Sequence, residues 1–390
     1  MTRAPSAARP TSCSAAEVAQ GEGAHAPDAS LAGLEQDHFE LDPAAEPTSH
    51  RGLTYPLGRR VPGAAELVEI APGIGWARLP VPGSLNHINV WALEDGDGVA
   101  LVDTGLDIPP AREAWEALFA GALGGRAVTR VIVTHFHPDH IGLAGWLCER
   151  FGVRLWMTRG EWLFARMLTL DVRNQPPAEA SAYQRGAGWS DERIAAEAQK
   201  GWGRFASVVS PVPLSMKRME DGDPIPIGTR TFRVVVGSGH SPEHACLVDE
   251  EGGVMIAGDQ VLPRITSNVS LSLSEPEGDP LGEWLASIAR LRALPEHLLV
   301  LPAHGQPFTG LHTRLDALAD GHARLLDALH RHLAEPRRAV DCFRILFGRA
   351  IDDSVYGLAT GEALAHLRHL EVQGRAAREV REGVHWFSAA

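Results

Sequence analysis

The sequence predicts an α/β protein whose strand ends carry its chemistry. Two observations lead there. Between residues 65 and 310, short runs of Val, Ile and Leu alternate with stretches of helical periodicity. Several of those runs are followed at once by His or Asp in a loop holding Gly or Pro: "RVIVTHFHPDH", "VVVGSGH", "VMIAGD" and "LLVLPAHG". Residues at strand ends converge on one edge of a sheet, which is where a shared site is assembled.

Residues 1–60 are rich in Ala, Pro, Gly and Ser and are expected to form a disordered tail. A catalytic unit is expected over 61–310. Its first clear element, "HINVWALEDGDGVALVDTGL", reads as a hairpin turning at Asp95-Gly96-Asp97-Gly98. "AREAWEALFAGAL" has helical spacing, "RVIVTH" is a buried strand, and "DHIGLAGWLCERFG" is an amphipathic helix stopped by Gly152. Over 155–217 the texture turns helical and aromatic, with Trp162, Phe164, Met167, Trp189, Trp202 and Phe205. This stretch is expected to be an inserted lid at the site mouth, favouring a partly apolar small substrate. Lys217 and Arg218, at its end, read as a solvated basic pair. Strands return over "DPIPIGTRTFRVVVGSGHSPEHACLVDEEGGVMIAGDQVL", then the helix "LGEWLASIARLRAL" and the strand "HLLVLPAHG". Residues 311–390 read as helices ending in a short hairpin, a small winged-helix-like domain.

Composition narrows the partners. The 390 residues are 44% hydrophobic and 22% charged, with a net charge of −13. The 311–390 segment holds 11 Arg against 11 Asp or Glu, so 11 − 11 leaves it neutral. Neither figure provides the basic footprint that nucleic acid requires. No apolar run is long enough for a membrane span. The partner expected is a small-molecule substrate, and packing or homodimerisation is the expected role of a neutral tail. Cys13, Cys148, Cys246 and Cys342 form no CxxC pair and read as free thiols. With no apolar signal region in "MTRAPSAARPTSCSAAEVAQ", a cytoplasmic location is expected.

The densest chemical signal is "THFHPDH", residues 134–140. His135 and His137 sit two apart past a strand and can aim at one point. Pro138 suits a first helical turn, so Asp139 and His140 leave in another direction. Two ligand pairs from one tight loop imply two adjacent ions. Imidazole with carboxylate suits zinc, iron or manganese. His240, Asp259 and His304 follow later strands, and Asp259 has two oxygens with which to bridge.

The ordered set Asp103-Thr104-Gly105, HxHxDH, GHSPEH, GDQ and PAHG resembles the metallo-β-lactamase superfamily over residues 65–310. The resemblance implies an αββα sandwich. It implies that His135, His137 and His240 hold a first metal, that Asp139, His140 and His304 hold a second, and that Asp259 bridges. Two divalent ions, zinc foremost, would be the cofactors. Asp103 and His244 would support the ligands from behind. Asp139 would orient the nucleophile, with Asp259 as its catalytic partner. The final residues resemble, less specifically, the tail of the lactamase-beta-2-like branch.

The ligand set implies a metal-generated hydroxide attacking an ester, thioester, lactone or related acyl bond. Two other activities within the same family remain open at this level: a nuclease or phosphodiesterase, and a mono-iron persulfide dioxygenase. Cysteine-ligand lactamases depart at Asp259. Nucleases with a large insertion before the last histidine need more than the 44 residues between Asp259 and His304.

Overall fold

The computed structural model describes residues 47–390. The expected tail over 1–46 lies outside the described residues, but the rest of the expected 1–60 tail is corrected. Strands β1 (Thr48–His50) and β2 (Leu53–Tyr55) pair antiparallel. Leu53 and Tyr55 are buried, and Thr54 bridges to Thr309. Two apolar side chains in a polar setting sufficed to dock this segment.

The first sheet has seven strands in sequential order: β3 (Val68–Ala71), β4 (Ile74–Pro80), β5 (His87–Asp95), β6 (Gly98–Val102), β7 (Val128–Ile132), β8 (Leu155–Met157) and β9 (Met216–Arg218). Pairing is antiparallel from β3 to β6 and parallel from β6 to β9. The expected turn at Asp95–Gly98 joins β5 to β6. The second sheet holds β10 (Pro224–Ile227), β11 (Arg230–Gly237), β12 (His244–Asp249), β13 (Val254–Gly258) and β14 (Leu299–Pro302). Only its β13–β14 pair is parallel.

Alternation along these strands builds the layers. Ile74, Trp76, Trp91 and Leu93 meet Phe232, Val234, Leu247 and Leu301 in an apolar layer between the sheets. The opposite face of the first sheet packs on α1 (Pro109–Ala120), α2 (Pro138–Ile141) and α3 (Ala144–Phe151) through Trp115, Leu118, Ile141 and Leu147. Gly152 ends α3 in the left-handed conformation, as its sequence position predicts. The outer face of the second sheet packs on α7 (Pro280–Leu291) and α8 (Leu311–His332) through Trp284, Ile288, Leu315 and Leu318. Helix, sheet, sheet, helix is the αββα order. A strand covered on both faces should be apolar throughout, and all six residues of β12 are buried.

Two expected boundaries change. The 155–217 stretch begins and ends in sheet strands, β8 and β9. Between them, α4 (Arg159–Leu170) joins the first sheet's helical layer through Ala165. In contrast, α5 (Ala178–Gly186) leads into α6 (Asp191–Ala198), and Ala187, Trp189 and Ile194 enter the C-terminal core. The 311–390 segment is equally entangled. It runs from α8 through α9 (Phe343–Phe347) and α10 (Tyr356–Val372) to the antiparallel hairpin of β15 (Ala376–Arg381) and β16 (Val384–Ala389). That order matches the expectation, but its apolar residues share one core with the second sheet. Among the described residues, no helix is long and apolar enough to cross a membrane.

Candidate metal centre

Five strand ends meet at one edge of the sandwich. The chain leaves β6 at Asp103, β7 at Thr134–His140, β11 at His240, β13 at Asp259 and β14 at His304. Three groups of metal-capable atoms result, each spanning no more than 4.8 Å: His135, His137 and His240; Asp139, His140 and His304; and His135, His140 and Asp259. The first two are the triads implied by the resemblance, and the third puts Asp259 between them. One Asp259 oxygen, Oδ2, lies 3.5 Å from both His240 Nε2 and His140 Nε2, while Oδ1 lies 3.5 Å from His304 Nε2.

The geometry fits metal ions. His135 Nε2, His137 Nδ1 and His240 Nε2 stand 2.9, 2.9 and 3.1 Å apart. A tetrahedral ion with bonds of about 2.0–2.1 Å separates its ligand atoms by about 3.3 Å. His140 Nε2 and Asp259 Oδ1 are buried and have no hydrogen-bond partner among the described residues. A buried polar atom left so is costly unless something is to fill it.

The far side of each ring fixes its tautomer. Asp103, whose carboxylate only accepts, takes the His140 Nδ1–H at 2.8 Å and the Thr134 hydroxyl at 3.0 Å. With its proton given to Asp103, Thr134 Oγ1 accepts the His135 Nδ1–H at 3.0 Å. His240 Nδ1–H donates to the Asn268 carbonyl at 2.7 Å, and His304 Nδ1–H to the His87 carbonyl at 2.8 Å. In its neutral form each of these four rings therefore turns Nε2 inward as an acceptor, the arrangement metal binding needs. Asp103 holds its place with a φ of 62°, a strain that its bonds to Thr134 and His140 offset. His244 supports rather than converges: its Nε2 accepts the Asp259 backbone N–H at 3.1 Å. Gly258 must be glycine there, because a Cβ would sit 2.5 Å from His244 Nε2 at a φ of +51°.

Electrostatics divides the rings. Burial, reinforced by neighbouring imidazoles, holds His135 and His244 well below the ordinary range and His137 at about 3. For His140 and His304 burial also opposes charge, but Asp139 and Asp259, joined by Asp103 at His140, outweigh it and push both upward. Asp139 and Asp259 are disfavoured by burial, yet the facing histidines bring both below the usual carboxylate range. Carboxylates thus face imidazoles across the centre, a mixed donor set suited to a divalent cation.

The sequence reading missed several supports. Glu161 on α4 is wholly buried and accepts from the Phe136 N–H at 2.8 Å, the Glu243 N–H at 2.7 Å and the Ser241 hydroxyl at 2.7 Å. One carboxylate thus ties the His135–His137 loop to the His240 loop. Asn268, which takes the His240 proton, donates its side chain to Glu362 on α10 at 2.9 Å. The Gly305 N–H donates to His87 Nε2 at 3.1 Å. No local pattern marks these residues; only the strand ends were readable. Of the expected lid aromatics, Phe164 and Phe205 flank Phe136 at ring distances of 5.0 and 6.3 Å, beside His137. Trp189 and Trp202 are turned elsewhere, to Thr360 and Asp171.

The family model for the Metallo-beta-lactamase superfamily matches residues 83–304. The chain belongs to the metallo-beta-lactamase superfamily. A second model, the metallo-beta-lactamase-like C-terminal domain, matches residues 326–390. The crystal structure of a beta-lactamase domain protein from Burkholderia ambifaria is 40% identical, covers 87% of this chain and 98% of its own, and superposes with a TM-score of 0.81. "Probable metallo-hydrolase YqjP" of Bacillus subtilis is 24% identical over 76% of this chain and 91% of its own. An atrochrysone carboxyl ACP thioesterase of Emericella nidulans is 25% identical over 84% of this chain and 88% of its own. This chain is accordingly a superfamily hydrolase, with candidate ligands for divalent metal ions.

Proposed function

We propose that this protein is a two-metal hydrolase of thioesters or closely related acyl esters, with zinc as the first candidate metal. The observation that supports the reading best is the pair of three-atom ligand groups with Asp259 between them. The relative from Emericella nidulans, named as a thioesterase, favours the thioester among acyl bonds. When bound, two divalent ions supply hydroxide near neutral pH and polarise the acyl oxygen.

In this reading the chain's own groups hold and aim. His135, His137 and His240 would hold one ion and Asp139, His140 and His304 the other, with Asp259 between the two groups. Asp139, with one oxygen 3.3 Å from His304 Nε2, is the carboxylate whose other oxygen would accept a hydrogen bond from the nucleophile. Asp103 and His244 keep His140 and Asp259 in register. Phe136, Phe164 and Phe205 give the acyl chain an apolar wall and exclude water beside His137. The substrate is a small molecule or a carried acyl group in the cytoplasm, not nucleic acid or membrane, and the chain pairs with a second copy of itself.

Metal analysis followed by a substrate panel tests this. Purified protein should carry about two metals per chain and hydrolyse activated thioesters, and chelation should abolish turnover. Unchanged turnover by metal-free protein would sink the proposal. Oxygen uptake with a single bound iron would move the chain to persulfide chemistry, and phosphodiester cleavage alone would move it to the nucleases. Elution of the pure protein at monomer size would remove the dimer.

A further inference from the structure

Two arginines stand beside the metal centre without a countercharge. Arg78 lies near the end of β4, on the face turned to the second sheet. Its Nε donates to Asn89 Oδ1 at 3.1 Å and its Nη2 to the Gly305 carbonyl at 2.9 Å. Its guanidinium lies 5.1 Å above the Trp76 ring. Arg264, in the loop after β13, donates Nη2 to Gln306 Oε1 at 2.9 Å and lies 5.6 Å from the Tyr55 ring centre. Both therefore grip the segment Gly305–Gln306, which directly follows His304.

Every one of those partners is neutral. Neither guanidinium reaches a carboxylate within ion-pair distance among the described residues, although the chain holds 49 acidic residues against 36 basic ones. Arg78 Nη1 makes no hydrogen bond to a described residue. The two charges are near enough to interact: burial first, then Arg264, brings Arg78 down to about 10. Like charges held together on aromatic faces are costly in a free protein and useful to one that binds an anion. A rigid guanidinium fork is also suited to phosphate and carboxylate. The other cations considered from sequence are engaged elsewhere, Arg218 with Glu220 and Lys217 over Trp156.

We propose that Arg78 and Arg264 form an anion subsite beside the His304 loop, which binds an oxyanion of the substrate, phosphate or carboxylate, while the acyl carbon lies at the metal centre. The subsite rests on the acyl-hydrolase reading and narrows it to charged substrates. Asn89 braces it from beneath, donating to both the Pro302 and Gly305 carbonyls, so the arginines and His304 share one support.

Matched thioesters test the idea on the metal-loaded protein. Butyryl-phosphopantetheine against butyryl-pantetheine places the oxyanion on the leaving thiol. The glutaryl against the butyryl thioester of N-acetylcysteamine places it on the acyl chain. In one arm the wild-type charged-to-neutral ratio of kcat/KM should exceed that of Arg264→Ala about tenfold, as expected for one lost charge-assisted hydrogen bond. Arg264→Glu should lower it further, and the loss should fall mainly on KM. Arg233→Ala, which removes an arginine paired with Glu250, should leave the ratio where it was. An unchanged ratio in both arms for Arg264→Ala and Arg264→Glu overturns the subsite. If wild-type protein turns over none of the thioesters, the thioester reading has failed instead. The subsite is then decided by titrating inorganic phosphate, where equal Kd for wild type and Arg264→Glu rejects it and weaker binding by the variant upholds it.

Discussion

His135, His137, His140, His240 and His304 crowd one edge of the sandwich. A second buried group, His322, His366 and His369, lies in the C-terminal helices α8 and α10. In the first, ring nitrogens converge and carboxylates stand among them. In the second, the contacts form a chain. The His322 Nδ1–H donates to His366 Nε2 at 3.3 Å, and the His366 Nδ1–H donates to the Glu362 carbonyl at 2.8 Å. His369 turns away to Asp279 at 3.0 Å. Burial pushes His322 well below the ordinary range and His366 to about 4, and neighbouring histidines depress His322 further. Histidine density is thus not the criterion. Convergent lone pairs with carboxylates beside them suit a cation, whereas consecutive donor-to-acceptor contacts suit a neutral core element.

The sharpest test is His137→Ala. Hydrolysis should fall by about a thousandfold or more, since ions at such sites supply several kcal/mol of transition-state stabilisation. Metal content should fall towards half. Retained turnover would erase the distinction between the clusters.

Acid should act on the second cluster through stability. Both His322 and His366 are held below 6.5 in the folded chain, so on acidification the unfolded chain takes up protons first. Their contribution is present above pH 6.5 and is lost as pH falls below it, for His366 down to about 4. For His366 the loss is on the order of 3 kcal/mol. Thermal unfolding of His366→Leu should depend less steeply on pH across that window than wild type. An equal slope would show that the pair is not the acid-sensitive element.

Glu161→Gln should weaken metal binding roughly 10–100-fold, as loss of an outer support does. A competition titration with a chromogenic chelator reads this directly, and unchanged affinity would reduce Glu161 to a packing residue. The smallest effect concerns the contrast itself. Ring resonances of His322 and His366 should stay in place when metal is titrated into stripped protein, while those of His135 and His240 shift.

The parts of this site legible from sequence are those in which neighbours in the chain are neighbours in space. "THFHPDH" is one loop, and His240, Asp259 and His304 each end an apolar strand that announces itself. Glu161, Asn268, Glu362 and His87 act across long separations; Glu161 lies 82 residues from Glu243 and Asn268 lies 94 from Glu362. Nothing local distinguishes such a glutamate from a solvated one. The αββα order was readable through family resemblance, because alternation alone gives strands and not their stacking. Strands β8 and β9 have three residues each, too few for a period, so the stretch between them read as a separate lid. Likewise the neutral charge of 311–390 was visible, but its shared core was not.

The helix α8 has a mechanical consequence. Its 22 residues span about 33 Å without a break. It begins on the second sheet, and the C-terminal family match opens partway along it, at residue 326. Trp189 pins the α5–α6 region to the same body from the other side through Thr360. The C-terminal unit therefore has no hinge of its own and rides with the sheet like a handle cast onto a cup. The exposed 83–86 loop between β4 and β5 lies at the rim, outside this shared core. There amide hydrogens should exchange early, while those of α8 and α10 exchange together and late.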